Sequence, residues 1–143
     1  MRLLVCGDRN WIDHYLLFAV LDRFHAKHHI DVLIEGCARG GDWMAGYHAP
    51  GKPLGFQGGW AYLNGIEGLH FPADWETYPK AAGPIRNRQM LNEGKPDYVI
   101  GFHYKPWESK GTKDMMQIAR AAGVPTLWIP KYEEPANAAQ AAS

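Results

Sequence analysis

The chain has 143 residues, 46% of them hydrophobic and 21% charged, which suits a single globular domain with a proper core. Fifteen basic and fifteen acidic residues cancel; this removes any global electrostatic reason to bind nucleic acid or an anionic membrane and leaves only local patches. Cys6 and Cys37 give neither a disulfide framework nor a Cys/His zinc spacing, no apolar run is long enough to span a bilayer, and without a signal-peptide pattern the expected setting is the reducing cytoplasm.

"RLLVCGD" (2–8) is a short apolar run ending in Gly-Asp, a buried strand followed by a turn. "WIDHYLLFAVLDRFHAKHH" follows with Ile12, Leu16, Leu17, Val20, Leu21 and Phe24 at helical spacing, and Asn10 and Asp13 stand three apart as a capping pair. "DVLIEGC" (31–37) is a second strand and "ARGGDWMA" a Gly-rich turn into a helix. "GYHAPGKPLGFQGG" (46–59) breaks the rhythm, as either a surface insertion or a loop folded over a site. "WAYLNGIEG" reads as helical again and "LHFPAD" (69–74) as a third, weaker strand.

"AAGPIRNRQM" (81–90) starts a helix at Gly83-Pro84, proline being suited to the first helical position, and Gly94 caps its end. "DYVIGFH" (97–103) is a fourth strand, and "KGTKDMMQIARAAG" a helix with Thr112 as N-cap, Gly123 as stop and Met115, Ile118 and Ala119 inward. "VPTLWIP" (124–130) is a fifth strand, and the tail over 131–143 has nothing large to bury and is expected to be mobile. Strands and helices alternate, and the strands are continuous apolar runs covered on both faces. The expected fold class is α/β: one domain over 1–130, an open, mainly parallel five-stranded sheet with helices on both faces.

Ligands of such sheets collect outside the carboxyl ends of the strands, and the strand-to-helix junctions share a theme. They read Gly7-Asp8-Arg9-Asn10, then Gly36-Cys37-Ala38-Arg39-Gly40-Gly41-Asp42, then Gly83-Pro84-Ile85-Arg86-Asn87-Arg88, then Lys110-Gly111-Thr112-Lys113-Asp114. Each combines glycine with a cation near a helix start. A cation there opposes the helix dipole by about 0.3–1 kcal/mol, which one charge-assisted hydrogen bond worth roughly 1.5–3 kcal/mol offsets. Free N–H groups and arginine together suit phosphate, and the repetition suggests more than one phosphate, or a phosphate plus a sugar. Neither GxGxxG nor a Walker motif is present.

Each feature also has a plainer reading. An arginine near a helix start is commonly a solvated surface residue, and Asp8, Asp42 and Asp114 could cap helices rather than bind a ribose hydroxyl. Cys6 and Cys37 read as small buried core residues. His25, His28 and His29 close the first helix on the surface, and His14, His48, His70 and His103 are scattered without ligand spacing. Trp43 and Trp75 flank the junctions, in the core or stacking on a base. No metal and no cofactor are expected.

"IEGCARGGDWMA", "FPADWETYPKAAGPIRNRQML", "PDYVIGFH" and "KGTKDMMQIARAAGVPTLWI" together resemble the YspA-type, YpsA-related branch of the SLOG superfamily, which is named for the DprA (Smf) and LOG proteins. The resemblance runs from Met1 to about Pro130. It implies a Rossmann-like domain that binds nucleotides or nucleotide-derived ligands, in which 46–59 is an insertion. LOG members hydrolyse the N-glycosidic bond of cytokinin ribotides, DprA members bind single-stranded DNA, and other members sense nucleotide signals. The LOG motif PGGxGTxxE corresponds here to "WESKGTKDM". Gly111 and Thr112 match, PGG is absent, and Met115 stands at the glutamate position with Asp114 one step earlier. The resemblance offers Asp114 as the catalytic carboxylate, with Arg86, or else Arg88, holding the phosphate.

The leading expectation is a sensor or sequestering protein for a phosphate-bearing, nucleotide-like small molecule, bound by Gly7, Asp8, Arg9, Gly36, Arg39, Gly40, Gly41, Asp42, Gly83, Arg86, Arg88, Gly111 and Thr112. The alternative is a nucleotide N-glycosidic-bond hydrolase using Asp114 and Arg86. Single-stranded nucleic acid binding would need a continuous basic groove with aromatic platforms, against which the neutral charge argues. No membrane partner is expected, and a homodimer is what the resemblance implies for assembly.

Overall fold

Five strands, β1 (Arg2–Gly7), β2 (Val32–Glu35), β3 (Glu67–His70), β4 (Tyr98–Phe102) and β5 (Thr126–Ile129), form one sheet in the order β3-β2-β1-β4-β5, with every neighbouring pair parallel. This comes from a computed structural model that describes residues 1–46 and 58–135. The chain builds outward from β1 through β2 to β3, then returns across β1 to lay down β4 and β5. The order therefore reverses between β1 and β4, the place where an open parallel sheet leaves a crevice at its carboxyl edge.

Two apolar layers cover the sheet. Leu3, Val5, Leu33, Ile100 and Phe102 face α1 (His14–His28), α2 (Gly41–Gly46) and α3 (Trp60–Leu63), meeting Leu17, Leu21, Met44 and Trp60. Leu4, Cys6, Ile34 and Val99 face the other way, onto Met90, Met115, Met116 and Ala119. These come from α4 (Ala82–Gln89), which continues as a π-helical turn over Met90–Gly94, and from α5 (Gly111–Ala121). Burial of both faces is why the strands read as unbroken apolar runs.

Several local expectations are corrected. α1 starts at His14 rather than Trp11, because Asp13 alone caps it, its Oδ1 accepting from Leu16 N at 3.0 Å. Asn10 instead donates its N–H to Asp8 Oδ1, and Ile12 points to solvent. Trp11 is buried against Phe102 and Tyr104. β3 begins two residues earlier than expected, at Glu67, where "WAYLNGIEG" has already left the helix through Gly65 at φ 66°. Pairing ends as Phe71 N donates to Glu35 O, since Pro72 has no N–H to continue it.

α4 starts at Ala82, so Pro84 is its third residue; this costs no bond, because the first turn's N–H groups lack helical partners anyway. The left-handed cap at its far end is Lys95, at φ 51°, rather than Gly94, which packs on Ile34. α5 is capped at Lys110 without a side-chain bond; Thr112 is buried inside the first turn, and Ser109 Oγ accepts from Lys113 N. Gly123 ends the helix at φ 79°, as expected.

Of the proposed insertion 46–59, Gly46 closes α2, and residues 47–57, His48 among them, lie outside the described residues. At the start of the C-terminal segment, Tyr132 packs against Trp128 and Trp107, and Arg120 bonds Glu134; residues 136–143 lie outside the described residues.

Candidate functional site

The loops after β1, β2 and β4 and the starts of α4 and α5 enclose a cleft of about 560 Å³ at the reversal of strand order. Gly7, Asp8, Arg9, Asp42, Gly83, Arg86, Gly111, Thr112 and Asp114 line it. Arg9, Arg86 and Trp75 also line an adjoining hollow of about 500 Å³, together with Gly36, Arg39 and Trp43. Of the residues expected at the site, Gly40, Gly41 and Arg88 line neither space. Gly40 and Gly41 bring α2 against the first loop, with Gly41 N donating to Asp8 O. A Cβ on Gly40, at φ 80°, would lie 2.2 Å from that same oxygen. Arg88 is exposed on α4, reaching Pro84 O at 3.1 Å and standing 3.5 Å from Asp114 Oδ2.

The two spaces differ in charge. The larger cleft has four cations, Arg9, Lys80, Arg86 and Lys110, against four carboxyl groups, Asp8, Asp42, Glu108 and Asp114. Among the described residues the hollow has three arginines, Arg9, Arg39 and Arg86, and no carboxyl group. Among the described residues Arg9 and Arg39 make no ion pair. Arg9 lies 5.9 Å over the ring of Trp75, which is 46% exposed and belongs to the rim, not to the core.

Arg86 is held in place rather than solvated. Its Nη1 donates to Gly36 O and its Nε to Asn87 Oδ1. Asn87, which the sequence reading passed over, is buried and completes the network: its Nδ2 donates to Gly111 O at 3.1 Å and to Asp114 Oδ2 at 3.0 Å. One amide thereby ties the arginine of α4 to the first turn of α5. The signal in sequence was an asparagine flanked by two arginines at helical spacing from Gly83 and Met90, which lie on the buried face of the helix. Asp114 is brought to the cleft, whereas Met115, at the glutamate position of the LOG motif, is wholly buried in the core.

Buried carboxyl groups stand behind the hollow. Asp42 Oδ2 accepts from Gly36 N at 3.0 Å and from Ala38 N at 3.5 Å. Burial, reinforced by the Glu35 carboxylate and opposed by Arg86, pushes its pKa up to about 7. Glu35 is 1% exposed, accepts from Cys37 N at 2.6 Å, and is hydrogen-bonded to His70 Nδ1; that bond raises the His70 pKa. Cys37 is half-buried, not a core residue, and its thiol is pushed up to about 12 by burial and by Glu35. Cys6 is buried, as expected, and its thiol is held neutral by burial. His103 Nδ1 accepts from Lys105 N beside Asp8, and burial lowers its pKa against the opposing pull of Asp8 and Glu108.

An all-parallel sheet covered on both faces, with a polar crevice at its reversal of order, defines an α/β protein of the Rossmann-like class. The family model described as YspA, cpYpsA-related SLOG family (YAcAr) matches residues 1–52. The Gene 61 protein of Mycobacterium phage D29 is 34% identical over 128 residues, covering 88% of this chain and 94% of that protein. The chain belongs to the YspA, cpYpsA-related SLOG family, whose membership points to a nucleotide-related function. No solved structure matches it significantly. Among the described residues, no helix is long and apolar enough to cross a membrane.

Proposed function

We propose that the chain binds a phosphate-bearing nucleotide or nucleotide-derived ligand across the cleft and the adjoining hollow, as a sensor or sequestering protein. The observation that carries this reading is the hollow, where three arginines meet two tryptophans with no carboxyl group among its described lining residues. Guanidinium groups suit phosphate oxygens bidentately, and an indole face suits a base. A second phosphate fits at the start of α5: among the described residues, the N–H groups of Gly111 and Thr112 have no partner there. Asp8 and Asp114, in the larger cleft, can accept from ribose hydroxyls.

The test is thermal stability of the purified protein against AMP, ATP, NAD, ADP-ribose and cyclic dinucleotides, alongside an Arg9→Ala/Arg39→Ala variant. Both arginines are exposed, so the variant keeps the fold. A ligand at about 100 times its dissociation constant adds roughly 2.7 kcal/mol. A shift seen with the native chain and lost in the variant supports the reading; no shift with any nucleotide ends it.

Asp114 favours a second reading, hydrolysis of a nucleotide N-glycosidic bond. Its carboxylate faces the cleft and is oriented by Asn87, as stabilisation of an oxocarbenium-like sugar requires. Release of free base from a bound nucleotide, abolished by Asp114→Asn, distinguishes it from binding alone.

A further inference from the structure

Parallel pairing places Glu35, the last residue of β2, beside His70, the last residue of β3. Cys37 follows two residues after Glu35 in a left-handed conformation, φ 62°. A non-glycine residue held there is strained by about 1–2 kcal/mol. That conformation turns both its N–H and its thiol back onto Glu35, with Sγ 3.7 Å from Oε1. One carboxylate oxygen, one imidazole nitrogen and one sulfur thereby lie within 4.8 Å of one another.

We infer that Glu35, Cys37 and His70 form a binding site for one borderline transition-metal cation, with zinc as its prototype. The donor set is the first argument: sulfur, nitrogen and oxygen together suit zinc and its neighbours, whereas magnesium and calcium take oxygen ligands. Geometry is the second. Zinc bonds of about 2.3 Å to sulfur and 2.0 Å to oxygen at a tetrahedral angle put those atoms about 3.5 Å apart, against the observed 3.7 Å. His70 Nδ1 and the Glu35 carboxylate are hydrogen-bonded to each other, so the ring and carboxylate must part to admit the cation. The ring is partly exposed and lies over Gly68, where a Cβ would meet it at 3.0 Å.

Charge is the third argument. Glu35 and Asp42 are 1% and 3% exposed on either side of Gly36, and Arg86 is the fixed cation that reaches the segment between them. A divalent ion would take the place of the proton that Glu35 and His70 hold between them, beside a second buried carboxyl group. Three protein donors leave a coordination position open, as in zinc sites that take water or a ligand rather than purely structural ones. Cys37 opens onto the arginine-lined hollow, which gives an entry path. On binding, the Cys37 thiol proton and the proton between His70 and Glu35 pass to solvent as the metal bonds form. The inference stands whether or not the hollow takes a nucleotide.

The experiment titrates the tag-free full-length chain with Co²⁺ and follows thiolate-to-cobalt charge-transfer absorption in the near ultraviolet. One Co²⁺ per chain is expected, displaced by Zn²⁺, with Zn²⁺ raising the thermal midpoint. Cys37→Ser loses the charge-transfer band while keeping native circular dichroism. His70→Asn keeps the band but weakens binding at least tenfold, the lower bound even for residues outside the ligand shell. Absence of the band in the native chain with cobalt in large excess overturns the proposal. So does a band that survives Cys37→Ser, and the trio is then only a hydrogen-bonded buttress.

Discussion

Arg86 rests its guanidinium on the backbone of Gly36, fifty residues earlier in the chain, donating from Nη1 to the Gly36 carbonyl. A Cβ built on Gly36 would lie 2.3 Å from that same nitrogen. Gly36→Ala therefore displaces the end of a flexible side chain, not backbone. The expected cost is about 1–2 kcal/mol, mostly the lost charge-assisted bond, with the fold kept and ligand-induced stabilisation largely abolished. Gly7→Ala differs, because its Cβ would meet the Phe102 carbonyl oxygen at 2.5 Å inside the sheet. Overpacking of this kind costs about 1–3 kcal/mol or more, and it should exceed the cost of Gly36→Ala because paired backbone cannot swing aside as a side chain does. Urea unfolding of both variants checks the order, and equal costs would contradict it.

Asn87 holds α4 to α5 through a single buried amide. Asn87→Ala leaves Gly111 O and Asp114 Oδ2 without that donor and Arg86 Nε without its acceptor. A loss of about 2–3 kcal/mol is expected, since buried polar groups stripped of partners carry their full desolvation cost. A loss under about 0.5 kcal/mol in chemical denaturation would show that water replaces the amide.

Asp42 makes stability depend on pH in a definite direction. Its folded pKa of about 7 lies above the ordinary 3.8, so between those values the folded chain holds a proton that the unfolded chain has released. Its contribution is intact below about pH 4, falls as pH rises to about 7, and is flat above. The groups responsible are the burial itself and Glu35, with Arg86 opposing. Asp42→Asn keeps an acceptor for Gly36 N and removes the titration. With a chelator present, the variant should gain on the native chain by an amount of order a few kcal/mol between pH 4 and 8. A difference constant across that range would mean that Asp42 ionises normally.

Trp75 stands at the rim, shared by both spaces and 46% exposed, under Arg9. Trp75→Ala should cost under about 1 kcal/mol of stability, the scale of an exposed cation–π pair. Any nucleotide bound in the hollow should lose affinity by about 1–3 kcal/mol, the worth of one base–aromatic stack. Calorimetry of the native chain and the variant checks both halves; unchanged affinity removes the stacking role.

What was legible in the amino-acid order was what local chemistry controls. "RLLVCG", "DVLIEG" and "YVIGF" announce buried strands because both faces of a parallel sheet exclude water. Their alternation with helices leaves few topologies, and the glycine-and-cation junctions mark where the carboxyl edge turns into helices. Boundaries governed by a single hydrogen bond were less legible: the start of α1 waits on Asp13, and that of α5 on the chain leaving Pro106–Glu108.

Only the tertiary structure decided which junction residues share a space. Arg88 and Arg86 are two apart in "GPIRNRQM", yet the helix turns one to solvent and seats the other on Gly36. The grouping of Glu35, Cys37 and His70 has no spacing in sequence, since it arises from the register of two parallel strands joined through a long crossover. Sequence by itself determined the layers and the carboxyl edge where strands turn into helices, because burial and helical or strand period act between near neighbours. The charge of the hollow and the partners of each carboxyl group were settled only when strands distant in sequence paired, because those contacts exist nowhere in the unfolded chain.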